Sequence, residues 1–277
     1  IRAYIEAGDT YQVNYTYRLR ALLNRDPWAL FSAMIRAQGA HYGAFIDTPD
    51  WTLCSASPEL FFSLDGNRLA SRPMKGTSPR GLWLGQDIAQ SKDLQHSAKN
   101  RAENVMIVDM VRNDMGRVAQ AGSVHVPRLF EIEKYPTLWQ MTSTVECLTD
   151  ARLTELFACL FPPASITGAP KIRTMEIITE LETAPRGIYC GAVGFVLPGR
   201  HVQFSVAIRS VLVDHRNGMA EYGVGGGIVW DSTDRSEYAE CATKARVLNY
   251  APPPFSLLET LLWTPSRGLV LLDAHLQ

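Results

Sequence analysis

No stretch of this 277-residue chain approaches the roughly 18 consecutive apolar residues of a membrane-crossing helix. The first residues lack the charged-then-apolar pattern of a secretory signal. Excess charge of one sign is also missing. Lysine and arginine total 27 against 28 aspartates and glutamates, a formal net charge of −1, and neither sign forms a long run. Nucleic acid and a membrane surface are therefore excluded as main partners. Cysteine is sparse, five in all, with no Cys-x-x-Cys pair. That odd, scattered set predicts free thiols in a reducing cytoplasm, and no Cys/His cluster has zinc-ligand spacing. No Gly-x-Gly-x-x-Gly opens a helix, which disfavours a dinucleotide site. Short repeats and low-complexity segments are absent.

What is present reads as α+β, with antiparallel hairpins mixed among helices. Ile1-Arg2-Ala3-Tyr4-Ile5 reads as the middle of a helix, so an N-terminal region missing from the sequence is expected. Tyr11 to Arg18 alternates as a strand does, with Gln12, Asn14, Thr16 and Arg18 on one face. The pattern predicts helices over 27–38, 90–113, 153–160, 170–183 and 235–249. It predicts strands near 42–47 and 51–54, and over 188–197, 202–213 and 219–229. A hairpin turns at Asp65-Gly66. Ala251-Pro252-Pro253-Pro254 is a stiff break that separates a domain of residues 1–250 from a short tail, 251–277.

Several segments carry residues suited to binding a small carboxylate. In Arg72-Pro73-Met74-Lys75-Gly76-Thr77 a lysine stands between a proline-fixed turn and a glycine, so its amine is held by backbone constraint. The helix after Asp231-Ser232-Thr233-Asp234 puts Glu237 and Glu240 on one face with Lys244. These glutamates, and Glu103 on another helix, are either solvated charge or oxygen ligands for Mg²⁺. Ser165 to Lys171 places Gly168 and Pro170 at a helix start, where free N–H groups favour an anion; a capped helix with no ligand is the plain alternative. Arg209, on the small-polar face of an apolar strand, needs an anionic partner, either a structural carboxylate or a substrate. Tyr189 precedes the paired strand. Gly225-Gly226-Gly227 marks a bulge or the close approach of a ligand in a third strand.

Together these segments resemble the chorismate-utilising enzymes over residues 1 to 250. The resemblance rests on Gly8-Asp9-Thr10-Tyr11-Gln12-Val13-Asn14, Ser57-Pro58-Glu59, the Lys75 segment, Arg101-Ala102-Glu103-Asn104, Val111-Arg112-Asn113-Asp114, Ile166-Thr167-Gly168-Ala169-Pro170-Lys171 and the glycine triplet. Within that family, anthranilate-forming members carry alanine at position 75 and histidine at position 140. Isochorismate- and salicylate-forming members carry a base lysine at position 12. Here Lys75, Gln140 and Gln12 point to the branch that makes 4-amino-4-deoxychorismate. An anthranilate-forming enzyme, or a non-catalytic anion-binding fragment, is the alternative.

The resemblance implies two orthogonally packed antiparallel sheets flanked by helices, as in anthranilate synthase component I. It implies Lys75 as nucleophile and Glu59 as general acid, with Mg²⁺ held by Glu103 and Glu240 and with Glu237 close by. It implies substrate contacts from Thr167, Gly168, Lys171, Tyr189, Arg209 and Gly225 to Gly227. It also implies ammonia from a separate glutamine amidotransferase. The tail from Phe255 to Thr260 resembles the start of an aminodeoxychorismate lyase. That enzyme's catalytic lysine would lie beyond Gln277, so pyridoxal phosphate is not expected to bind this chain.

Overall fold

The computed structural model describes residues 1–249 and 261–272. Helix α1 (Arg2–Glu6) leads into β1 (Gln12–Leu22), α2 (Pro27–Gln38), β2 (Tyr42–Asp47) and β3 (Trp51–Ser57). The middle of the chain forms β4 (Leu60–Asp65), β5 (Arg68–Arg72), β6 (Met74–Pro79), α3 (Leu84–His96), α4 (Ala98–Gly116), β7 (His125–Lys134), β8 (Leu138–Leu148) and α5 (Leu153–Leu160). Then come β9 (Gly168–Ala169), α6 (Lys171–Leu181), β10 (Ala192–Leu197), β11 (His201–Val206), β12 (Ser210–Asp214), β13 (Met219–Ile228) and α7 (Asp234–Ala245). A small hairpin, β14 (Trp263–Thr264) and β15 (Gly268–Leu269), follows. The proline break at 251–254 and the tail's first residues lie outside the described residues.

One sheet runs β2-β3-β12-β13-β1-β9, and the other runs β10-β11-β4-β5-β8-β6 with β7 also paired to β8. Strand pairings among the described residues are antiparallel, as the α+β reading expects. Each sheet has its own core. Phe62, Leu69 and Val145 bury against Ile107 and Met115 of α4 and Leu156 of α5. Cys54, Val211 and Val224 bury against Met34 of α2 and Cys241 of α7.

Local sequence sets the helix ends. The Asp26 carboxylate accepts from the Ala29 amide at 3.0 Å, Pro27 fills the first turn, and Gly39 closes α2 in the left-handed region, φ 59°. The single helix expected over 90–113 is two helices. Ser97 is extended, ends α3 and caps α4, its Oγ accepting from the Asn100 amide at 3.3 Å.

The run 202–213 is not one strand either. It breaks at Ala207–Arg209, where the chain leaves one sheet and enters the other, and Arg209 takes φ 52°. The link between β3 and β4 makes the reverse passage beside it. The Ala56 amide donates to the Arg209 carbonyl and the Val206 amide to the Glu59 carbonyl, each at 3.0 Å. The Ser57 hydroxyl donates to the Val206 carbonyl at 2.7 Å. Glu59 thus sits on the paired crossing between the two sheets.

Candidate active site

Lys75 is aimed by a strand defect. In the pairing of β6 with β8, Met74 faces Thr142 and Thr77 faces Gln140, so the register shifts between them. Three steps along β6 match two along β8, which leaves one extra residue, and such a bulge redirects side chains. Gly76 takes φ 95° there, a conformation glycine adopts without strain. Side chains clamp the bulge from both neighbours. Gln140 donates to the Gly76 carbonyl at 2.8 Å and accepts from the Thr77 hydroxyl at 3.1 Å. The amide of Asn104, itself 1% exposed, reaches the Lys75 carbonyl at 3.4 Å and accepts from Ser143 at 2.6 Å. Sequence reasoning singled out Lys75 but not this clamp. The mixed polar face of α4 around Asn104 was its visible signal.

Glu59 is 3% exposed. Burial pushes its carboxyl up to about 7, against the opposing pull of the Ser165 hydroxyl, the Lys75 charge and the Met74 backbone. Burial lowers the Lys75 ammonium, helped by the charge of Lys244 and opposed by Glu103, Glu59 and Glu240. A buried acid that keeps its proton and a lysine that sheds one more readily lie within electrostatic reach of each other.

Glu103 of α4 lies in electrostatic reach of Glu237 and Glu240 of α7. Burial raises Glu103, with Glu240 and Glu237 adding repulsion against the pull of Lys75 and Lys99. Burial also pushes Glu240 up, but Lys244, with Lys75 and Lys99, makes the net direction down. Lys244 Nζ sits 2.6 Å from Glu240 Oε1 and donates to the Gly225 carbonyl at 2.8 Å. Glu237 Oε1 accepts from the Ser232 hydroxyl at 2.6 Å. Among the described residues no three of His, Cys, Asp and Glu form a ready-made metal cage. Mg²⁺ uses few protein carboxylates and fills its shell with water and substrate oxygens, so the hard oxygens of Glu103 and Glu240 fit it.

The glycine triplet lies in an unbroken stretch of β13, with Gly225, Gly226 and Gly227 opposite Thr16, Tyr15 and Asn14 of β1. Close approach rather than a bulge explains it. A Cβ on Gly226 would stand 3.2 Å from Glu237 Oε2, and one on Gly227 would strike the Gln12 amide. Gln12 is 1% exposed, and neither of its side-chain polar atoms has a partner among the described residues. An orphaned buried amide costs about 1–3 kcal/mol, which a bound molecule offering a donor and an acceptor would offset.

The other predicted residues are held by protein groups. Thr167 is buried, its hydroxyl 3.1 Å from the Ala164 carbonyl. Gly168 is required by backbone, since a Cβ there would strike the Gln12 carbonyl and Thr174. Lys171 Nζ bonds Asp114 Oδ2 and the Leu160 carbonyl, each at 2.9 Å. Arg209 donates to the Lys244 carbonyl at 2.7 Å, so its partner here is the end of α7. The Tyr189 ring packs on Gly223, with the Arg18 guanidinium 4.9 Å from its centroid.

A buried acid at the crossing of the two sheets thus lies in electrostatic reach of an amine, the amine in reach of a carboxylate pair, and an unpartnered amide stands beside the glycine triplet. The family description "chorismate binding enzyme" matches residues 1–250. The chain belongs to this family. Aminodeoxychorismate synthase component 1 of Klebsiella aerogenes is 42% identical over 252 residues, covering 90% of this chain and 55% of that protein. The Bacillus subtilis protein of the same name is 38% identical, covering 91% and 53%. The crystal structure of anthranilate synthase component I from Streptococcus pneumoniae superposes with a TM-score of 0.82 at 30% identity, over 90% of this chain and 55% of that one. The chain spans about half the length of the curated relatives it matches. Lys75, Glu59, Glu103, Glu237 and Glu240 all lie within the residues that the family matches.

Proposed function

We propose that this chain is the chorismate-binding part of an aminodeoxychorismate synthase component 1. It would replace the 4-hydroxyl of chorismate with an amino group, a step toward para-aminobenzoate and folate. Ammonia would come from a partner glutamine amidotransferase. The observation that carries the reading is the bulge-held Lys75, with its lowered pKa, in electrostatic reach of the buried acid Glu59. The identity to the relatives named above supports the same assignment.

In this reading the neutral Lys75 amine attacks ring C2 while Glu59 protonates the departing hydroxyl. Ammonia then bonds to C4, and the C2–N bond to Lys75 breaks. Glu103 and Glu240 would hold Mg²⁺, with Glu237 braced beside them by Ser232. That ion would neutralise and orient the substrate carboxylate. In this reading Gln12, Thr167, Gly168, Tyr189 and the glycine triplet would contact the substrate, with Arg209 and Lys171 bracing backbone carbonyls of Lys244 and Leu160. The five free cysteines support a cytoplasmic setting, and no helix among the described residues is long and apolar enough to cross a membrane. The tail from Phe255 fits the opening of a lyase-like domain that would act on the product.

The test is product identity. Full-length protein incubated with chorismate, Mg²⁺ and ammonium is expected to give a product that retains the enolpyruvyl group by mass. Released pyruvate and anthranilate would assign the sister reaction, and no turnover would favour a non-catalytic fragment. Lys75→Ala is expected to abolish aminodeoxychorismate while circular dichroism stays unchanged. Unchanged turnover in that variant would remove Lys75 from the chemistry.

A further inference from the structure

Beside Glu59 a narrow cavity of about 20 Å³ lies among β4, α4 and residues 160–165. One water molecule needs roughly 10–15 Å³ measured this way. The wall is mostly apolar, with Phe61, Val111, Leu160 and Ala164 among its residues, and two acidic residues line it. One is Glu59. The other is Asp114, near the end of α4. Asp114 also lines an open groove of about 680 Å³ along the outer face of α4, together with Asp109, Asn113 and Lys171. It is 9% exposed. This one side chain therefore stands in the wall between the cavity at the reacting centre and a groove open to solvent.

The proposed reaction creates a need for such a link. Lys75 bonds to C2 as the C4–O bond breaks, and the Glu59 proton leaves on the hydroxyl as water. Ammonia then bonds to C4, the C2–N bond breaks with its electron pair returning to Lys75, and the product carries an ammonium group. Lys75 ends neutral as it began. Glu59 ends one proton short, behind whatever substrate fills the site in front of it.

We propose that Asp114 is the outer station of a proton relay that reloads Glu59 from the groove through a water in the cavity. The inference rests on Glu59 acting as general acid. In each cycle the Asp114 O–H bond breaks as its proton passes to the cavity water. That water gives a proton to the Glu59 carboxylate, and Asp114 takes one from solvent in the groove. Asp114 acts through Glu59 and touches no substrate. The charges facing the relay are few: Lys171 of α6 and Arg117 just past α4 beside Asp114, and Lys75 of β6 beside Glu59, where the Ser165 hydroxyl also favours the carboxylate. Burial raises both carboxyls against these cations, which helps each to carry a proton. The Lys171 ammonium, which donates to Asp114 Oδ2 and is also anchored on the Leu160 carbonyl, holds the outer station in place whether Asp114 is a carboxylate or has taken its proton.

Asp114→Asn keeps the shape and an acceptor for Lys171 but cannot pass the proton. The experiment is rapid-quench turnover of the full-length protein with chorismate, Mg²⁺ and ammonium, starting below pH 7 with Glu59 loaded. The first turnover is expected at the wild-type rate, followed by a steady state slowed at least tenfold. The chorismate KM should stay within twofold, and the solvent deuterium effect on the slow phase should increase. Ala164→Val narrows the cavity without touching either carboxyl and is expected to give the same fast-then-slow pattern. Equal slowing of both phases would assign Asp114 to structural support and overturn the relay, as would a wild-type steady state in either variant. Glu59→Gln separates the two readings. Loss of its first turnover beside a fully active Asp114→Asn sinks the relay alone, whereas full activity of Glu59→Gln sinks the general-acid reading beneath it.

Discussion

In the proposed reaction Glu59 couples turnover to stability through one proton. A carboxyl in the unfolded chain titrates near about 4.3, whereas in the fold burial pushes Glu59 up to about 7. Between these values the folded protein holds a proton that the unfolded chain releases. Its stabilising contribution is therefore complete below the unfolded value and is lost as pH rises through about 7. A general acid must be protonated, so activity should fall over the same upper range. Glu59→Gln is expected to lower turnover by about 10²–10⁴. The variant's melting temperature relative to wild type should rise between pH 5 and pH 8. Paired pH–rate and calorimetric profiles check both. A wild-type alkaline limb that survives in the variant would transfer that titration to another group.

At the scale of elements, the bulge of β6 and the N-terminal half of α7 build the site. Gly76→Ala forces a side chain into φ 95° with the Asn100 Cβ 3.1 Å away. The left-handed conformation alone costs an L-residue about 1–2 kcal/mol. Denaturant unfolding should register about that loss, and turnover should fall further because Lys75 loses its aim. A variant with lost stability and intact turnover would show that the bulge does not position the amine. Glu240→Gln is expected to raise the Mg²⁺ concentration at half-maximal activity with little change in melting. An unchanged midpoint would leave α7 with solvated charge only. The α7 carboxylates were legible in sequence because helical spacing states which residues share a face. The β7–β8 pair was not, because β8 buries Gln140, Thr142, Ser143, Thr144 and Glu146 and so lacks the apolar alternation that marks a strand. The same polar residues include the clamp on Lys75, so the fold signal was weakest where the site is most elaborate.

For the whole molecule, the α+β class and the family region were readable, but the sheet crossings were not. Val202 to Ile208 alternates, the phase slips at Ser210 and Val211, and the long-range pairing of Ala56 with Arg209 shows that the chain changes sheets there. Long-range hydrogen bonds of this kind leave no local pattern, so the burial of Glu59 could not be read from Ser57-Pro58-Glu59. The boundary near residue 250 can be tested directly. The family match ends at 250. Beyond it the described hairpin β14–β15 pairs within itself, and Leu262, Trp263 and Leu271 are 66%, 62% and 69% exposed. Removing residues 251–277 should therefore shift the melting temperature by no more than about 2–4 °C, the equivalent of about 1 kcal/mol for a domain of this size. Docking of even one large apolar side chain would contribute about 1.5–3 kcal/mol and push the shift past that limit. Scanning calorimetry of the truncated and intact chains decides between them, and a larger fall would place the tail inside the catalytic domain.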